Sequence, residues 1–300
     1  MSTAVTGTRK ISVSHPWFAG NEKKYVNECL DTMWISSLGR FIAQFEEEFA
    51  QFCGARHAIA CNNDTTALHL ALLAMGVEPG DQIIVPTLTY VAPVNAVKYC
   101  GATPVLVDSE PSTMNMDPAL IEDRITAKTK GIMAVHLYGH PAEMDPILEI
   151  ARRHGLFVVE DAAEAHGAMY RGRRVGALGD IATFSFFGNK IITTGEGGMV
   201  VTNNSDVDAK VRLLRGQGMD PKRRYWFQTV GFNYRMTNIQ AALGLAQLEQ
   251  IHTHIQRRRT VAGWYLKHLS PLERWLQLPM EMDWATHARA SQRAAGAERL

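Results

Sequence analysis

The stretch Leu156–Gly167, LFVVEDAAEAHG, followed one strand later by Phe184–Lys190, FSFFGNK, decides how this chain is read. Phe157, Val158 and Val159 are apolar at successive positions, the mark of a strand buried on both faces of a parallel sheet, and Asp161 stands where that strand ends. Ligands of open α/β sheets bind beyond the carboxyl ends of the strands, so Asp161, Glu164 and His166 are expected at a binding crevice. Lys190 closes the aromatic run and opens IITTGEGGMV, whose glycines permit close backbone approach. Phe184, Phe186, Phe187, Ile191 and Ile192 flank it, and such apolar surroundings are expected to favour the nucleophilic free amine. Separately, these are an acidic strand end and a solvated lysine. Together they suit pyridoxal 5'-phosphate: the amine holds the aldehyde as a Schiff base and later moves the substrate proton, while the carboxylate keeps the pyridine nitrogen protonated.

Outward from this pair, short apolar runs alternate with amphipathic stretches, the pattern of an α/β fold with a mostly parallel sheet flanked by helices. Strands are expected at 57–61, 82–85, 104–107, 131–136, 156–160, 181–185 and 198–202. Met144, Ile147, Leu148 and Ala151 repeat at helical spacing before the strand that carries Asp161. A single long helix is expected from Asn238 to about residue 268, leading out of a large domain of residues 1–250 into a linking helix and incomplete C-terminal part, 251–300. Residues 1–10 and the alanine- and arginine-rich tail from Ala285 are expected to be disordered or unpacked.

A phosphate cradle is expected in CNNDTTALHLAL, residues 61–72, where a strand turns into a helix and backbone N–H groups face an anion near Asn63, Asp64, Thr65 and Thr66. The plainer reading is helix capping by Asp64 or Thr65. Ser185 adds a hydroxyl from the lysine side. Tyr90, in VPTLTYVAP, has a ring that could stack on a pyridine or fill the core.

Composition narrows the alternatives. The chain has 300 residues, 46% hydrophobic and 20% charged, with a formal charge of +1 and no basic stripe beyond Arg257–Arg259, so nucleic acid is not an expected partner. Its four cysteines show no metal-binding spacing and suit a reducing cytoplasm. No apolar run approaches the roughly 20 residues that span a bilayer.

At these motifs the chain resembles the DegT/StrS family of nucleotide-sugar aminotransferases, pyridoxal-phosphate enzymes of fold type I. The matching segments are WISSLGRFIAQFE (34–46), ALHLAL (67–72), VPTLTYVAPVNA (85–96), VHLYGH (135–140), EDAAEAHGA (160–168), GDIATFSFFGNKIITTGEGGMV (179–200) and GFNYRMTNIQAALGLAQLE (231–249). The resemblance implies that Lys190 is the Schiff-base lysine, Asp161 the pyridinium partner and Tyr90 the stacking ring. Glu164 falls where the family often has glutamine near the cofactor's 3-hydroxyl. Thr65 and Ser185 would hold the phosphate, and Asn233 would reach the phosphate of a neighbouring subunit's cofactor in a homodimer. The implied reaction moves an amino group from L-glutamate to the C4 ketone of a nucleotide-linked 4-keto-6-deoxy sugar, here GDP-4-keto-6-deoxy-mannose, for O-antigen and lipopolysaccharide synthesis. Relatives that dehydrate the sugar carry histidine in place of the lysine.

Two departures from the family pattern stand out. Asp64 occupies a position where the family has glycine, so repulsion of the phosphate and strain in a glycine-type conformation are expected. Family members also continue well past this chain's last residue. A truncated, catalytically impaired remnant is therefore the alternative expectation. A regulator of the same family would need a helix-turn-helix segment, which the sequence does not display.

Overall fold

The computed structural model describes residues 12, 14–289 and 295–296. The readings for residues 1–10 and for most of the tail beyond Arg289 lie outside the described residues, but the start of that tail is packed, contrary to expectation: Ala285 and Thr286 pair with Tyr170 and Met169, and His287, Ala288 and Arg289 are buried.

Helices α1 (Glu22–Asp31) and α2 (Arg40–Cys53) precede the first strand, β1 (His57–Cys61). There follow α3 (Asp64–Ala74), β2 (Gln82–Pro86), α4 (Ala92–Tyr99), β3 (Thr103–Val107), β4 (Thr129–Val135), α5 (Met144–His154) and β5 (Phe157–Asp161). After the short pair β6 (Met169–Tyr170) and β7 (Arg173–Arg174) come β8 (Ile181–Ser185), β9 (Gly198–Thr202), α6 (Ser205–Arg215), α7 (Asn238–Glu249) and α8 (Ile251–Leu269). Seven strands form one sheet in the order β1-β9-β8-β5-β4-β2-β3. All neighbours run parallel except β9, which is antiparallel to both β1 and β8. The strands read from the sequence are these seven, with ends within a residue or two.

Both faces of the sheet are covered, which is why its central strands are apolar throughout. On one face, Phe41, Phe45, Phe49 and Phe52 form the buried stripe of α2, whose end is set by Gly54 in the left-handed conformation (φ 72°). Phe49 lies 4.9 Å from Phe184 and 5.3 Å from Phe186, ring centre to ring centre. Strand periodicity then turns Thr183 and Ser185 to the opposite face, towards α3. The expected apolar shell of Lys190 is revised by the same alternation: Phe184 and Phe186 belong to the core, and Phe187 is exposed.

One further expectation is corrected. The single long helix from Asn238 is two helices, because the backbone leaves the helical region at Gln250 (φ −105°, ψ 8°) and its N–H turns to the Gln247 carbonyl. The first half is buried nearly all round against α1 and α2, whereas α8 exposes most of its surface, so the two follow different packing partners. No helix among the described residues is long and apolar enough to cross a membrane.

The aromatic cluster under the sheet carries much of this face. Phe49→Ala should lower unfolding free energy by about 3–5 kcal/mol, read from urea denaturation, because the cavity among Phe45, Phe184 and Phe186 cannot collapse.

Candidate active site

The carboxyl ends of β5 and β8 lie side by side, with Asp161 in register with Thr183. Asp161 is 4% exposed, and its Oδ1 accepts the Ala163 N–H at 3.0 Å. Burial pushes its carboxyl above the usual carboxylate range; the Ala163 N–H and the charge of Lys190 work against that rise, and the charge of Glu164 adds to it. Behind it, on the opposite face of β5, Glu160 is fully buried. His136 accepts the Ala142 N–H on Nδ1, so its Nε2–H donates to Glu160 at 3.0 Å. Backbone N–H groups of Gly176, Leu178 and Gly179 complete the Glu160 carboxylate. This network ties the end of β5 to the segments around it, and it escaped sequence reading because its partners are scattered along the chain.

Lys190 sits in the turn after β8. Its Nζ lies 3.4 Å from Glu164 Oε1, both side chains being partly buried, so a carboxylate faces the amine. The other Glu164 oxygen accepts the Tyr138 N–H at 2.8 Å. Tyr138 holds a left-handed conformation (φ 54°, ψ 11°), strain of the kind found at functional sites. Its motif, VHLYGH, was legible, but its link to Glu164 was not.

The N-terminus of α3 approaches the same place. Asn63 is the cap, its side chain accepting the Thr66 N–H at 2.9 Å, so neither Asp64 nor Thr65 plays that part. Gly198 brings β9 against this turn; a Cβ there would stand 2.5 Å from the Asn63 carbonyl carbon. Asp64 is the first residue of the helix with no left-handed backbone, so the expected glycine-type strain is not found. Its side chain carries the cost instead. Asp64 is 8% exposed, and its Oδ1 is buried without a hydrogen-bond partner among the described residues. Burial first, and then the charge of Asp161, push the Asp64 carboxyl up to about 8, with Thr183 and the charge of Lys190 opposing.

The other expected residues lie around this centre. Ser185 is buried at the end of β8, its Oγ accepting the Phe187 N–H at 3.4 Å. Thr65 follows Asp64 in the first turn of α3 and is half-buried. Tyr90 lies in the loop before α4 and is 77% exposed, and Asn233 is also exposed, paired through its backbone with Gly216. Neither is enclosed by this chain. Among the described residues no His, Cys, Asp and Glu cluster could hold a metal ion, and all four cysteines are free and buried.

These groups fit pyridoxal phosphate. Asp161 offers a buried carboxylate to a cationic ring nitrogen, Lys190 an amine, and α3 a helix N-terminus for a phosphate. Asp64 fits only as the neutral acid. Its folded-state pKa of about 8 stands above its ordinary 3.8, so the folded chain keeps a proton that the unfolded chain releases. The contribution of Asp64 to the stability of the cofactor-free protein should therefore be fully present below about pH 4 and be lost as pH rises to about 8, while buried histidines shifted down, such as His166 and His287, add the opposite slope around the ordinary histidine range. Asp64→Asn should remove that contribution, so the stability difference between the unaltered chain and the variant should shrink as pH rises from about 4 to about 8, as read from denaturant midpoints at several pH values.

Comparison with known proteins agrees with this geometry. The profile of the DegT/DnrJ/EryC1/StrS aminotransferase family matches residues 18–295. GDP-perosamine synthase of Caulobacter vibrioides is 67% identical over 263 residues, which cover 88% of this chain and 71% of that protein. The protein of the same name from Escherichia coli O157:H7 is 55% identical over 262 residues, covering 87% of this chain and 72% of that protein. Among solved structures, DesV of S. venezuelae superposes with a TM-score of 0.89 at 38% identity, over 93% of this chain and 74% of that chain. With its sheet order, its Asp161–Lys190 centre and these likenesses, the chain belongs to the DegT/DnrJ/EryC1/StrS family of pyridoxal-phosphate-dependent aminotransferases, of fold type I.

Proposed function

We propose that this chain transfers an amino group from L-glutamate to the C4 ketone of GDP-4-keto-6-deoxy-mannose, giving GDP-perosamine for O-antigen synthesis in the cytoplasm. The observation that carries the reading is the convergence of Lys190 and Asp161 beside the N-terminus of α3, in a chain 67% identical to a GDP-perosamine synthase. Bound there, pyridoxal phosphate supplies an electron sink for breaking the bond between carbon and hydrogen beside the transferred nitrogen.

The chain's own residues have distinct tasks in this proposal. Asp161 would hold the ring nitrogen protonated, its Oδ1 fixed by Ala163. Lys190 would attach the cofactor and, once displaced, take the proton from the donor's carbon and return it on the acceptor. Glu164, fixed by the Tyr138 N–H, would orient the Lys190 amine and face the ring hydroxyl. Thr65, the Asp64 backbone and Ser185 would bind the phosphate, and Tyr90 would cover the ring. We assign residues 1–250 to the cofactor-binding unit and 251–300 to a linking helix and part of a smaller one.

A homodimer with shared sites is part of this proposal. Met33, Leu38, Tyr90, Trp226 and Val230 are large apolar side chains left more than half exposed, which a second copy would cover in this proposal. Asn233, exposed on the isolated chain, would then reach the partner's cofactor. Light scattering should give twice the chain mass.

A second reading, an enzyme with weakened cofactor retention, is favoured by Asp64. Below its pKa of about 8 the neutral acid does not repel a phosphate; above it the carboxylate does. Asp64→Gly should therefore bind pyridoxal phosphate at least about ten-fold more tightly at pH 9, with a smaller gain at pH 7, as measured by equilibrium titration. For the main reading, protein, cofactor, glutamate and a panel of 4-keto nucleotide sugars should release 2-oxoglutarate with the GDP sugar. Lys190→Ala should abolish release; no release with any sugar from the unaltered chain would overturn the proposal.

A further inference from the structure

We propose that Arg258 is the positioning residue that fixes Lys190 for cofactor attachment, by holding the peptide that carries the lysine. The inference rests on the reading of Lys190 as the attachment point. Arg258 stands in α8, and its Nη2 donates to the Asn189 carbonyl at 3.0 Å and to the Lys190 carbonyl at 2.8 Å. The three consecutive arginines of this helix have separate tasks: Arg257 lies over the Trp17 ring at 3.7 Å, Arg259 binds Glu281, and Arg258 turns to the lysine turn.

That turn needs an external hold. Inside it, Lys190 N–H bonds to the Phe187 carbonyl at 3.0 Å, and Phe187 bridges Gly195. Before the lysine the turn packs little, since Phe187 is half exposed and the side of Gly188 where a Cβ would sit meets no atom within 4 Å; after it Ile191 and Ile192 are buried in the core, and the Asn189 carbonyl also accepts the Ser14 hydroxyl at 3.5 Å. Charge-assisted bonds from one planar guanidinium to two successive carbonyls set the direction of the peptide, and with it the direction in which the lysine stem leaves. The guanidinium charge also acts on Glu164, the carboxylate that faces the Lys190 amine, and on the buried His166 beside Phe184 and Phe186. Arg258 thus bears on the lysine twice, through its backbone and through its carboxylate partner. The same bonds connect α8 to the turn that carries the amine.

The test mixes pyridoxal phosphate with the unaltered chain, Arg258→Gln and Arg258→Lys. It follows the rate at which the visible band of lysine-bound cofactor appears, the pH midpoint of that band, and the borohydride-trapped adduct at Lys190 by peptide mass, with thermal unfolding as the check on folding. Arg258→Gln should attach cofactor at least about ten-fold more slowly, the scale on which a misplaced group slows a reaction needing a defined approach, and should shift the midpoint. Arg258→Lys should recover part of the rate, since an ammonium can still reach the carbonyls without their shared plane. If the glutamine variant does not fold, the lysine variant decides: slower attachment with a shifted midpoint supports the proposal, and unchanged values overturn it. Wild-type rates and midpoints in both variants overturn this inference alone, whereas no adduct at Lys190 in the unaltered chain overturns the functional reading as well.

Discussion

Negative charge withdrawn from water at the carboxyl ends of β5 and β8 is the constraint around which this site is built. An ionised carboxylate at the depth of Asp161 needs compensation from nearby donors or cations. The Ala163 N–H and the charge of Lys190 supply part of it. What remains is a carboxyl raised above its ordinary range, suited to a cationic ring nitrogen. Glu160, one residue earlier and facing the other way, meets the same burial with a full set of donors, and its carboxyl is held below the ordinary value. Two adjacent acids on one strand are thus driven in opposite directions by what each face of the sheet offers. One is fully satisfied within the protein and the other is not.

Asp64 shows the same constraint at its limit. The helix start tolerates its backbone without strain, so the difficulty lies in solvation: a second carboxyl beside Asp161 is pushed towards the neutral form first by burial and then by the charge of Asp161, against the Thr183 hydroxyl and the charge of Lys190. The site keeps its geometry while one member depends on a proton. Arg258 acts at the lysine turn, where a cation holds the Asn189 and Lys190 carbonyls.

The legible and illegible parts divide along physical lines. Strands were legible because burial on both faces demands continuous apolar, β-branched runs, and Asp161 because topology puts a strand's carboxyl end at the crevice. The break at Gln250 was not legible, since no proline or glycine marks it and only the different surroundings of α7 and α8 separate them. The shell of Lys190 was misjudged because neighbours in sequence alternate sides in a strand: Phe184 and Phe186 face α2, and the group that meets the amine is Glu164. Tyr90 and Asn233 read as site residues from their motifs, and both stand exposed on the single chain.

By itself the sequence determined the fold class and the order of the strands along the chain, and it put Asp161 at a strand end and Lys190 in the turn after a strand, because periodicity and strand ends are local properties. Tertiary structure decided which acid is satisfied and which is not, that Asp64 bears a desolvation penalty instead of backbone strain, and that Arg258 grips the lysine turn. Those outcomes depend on distances between residues far apart along the chain and on the water excluded between them, and neither is written in any single segment.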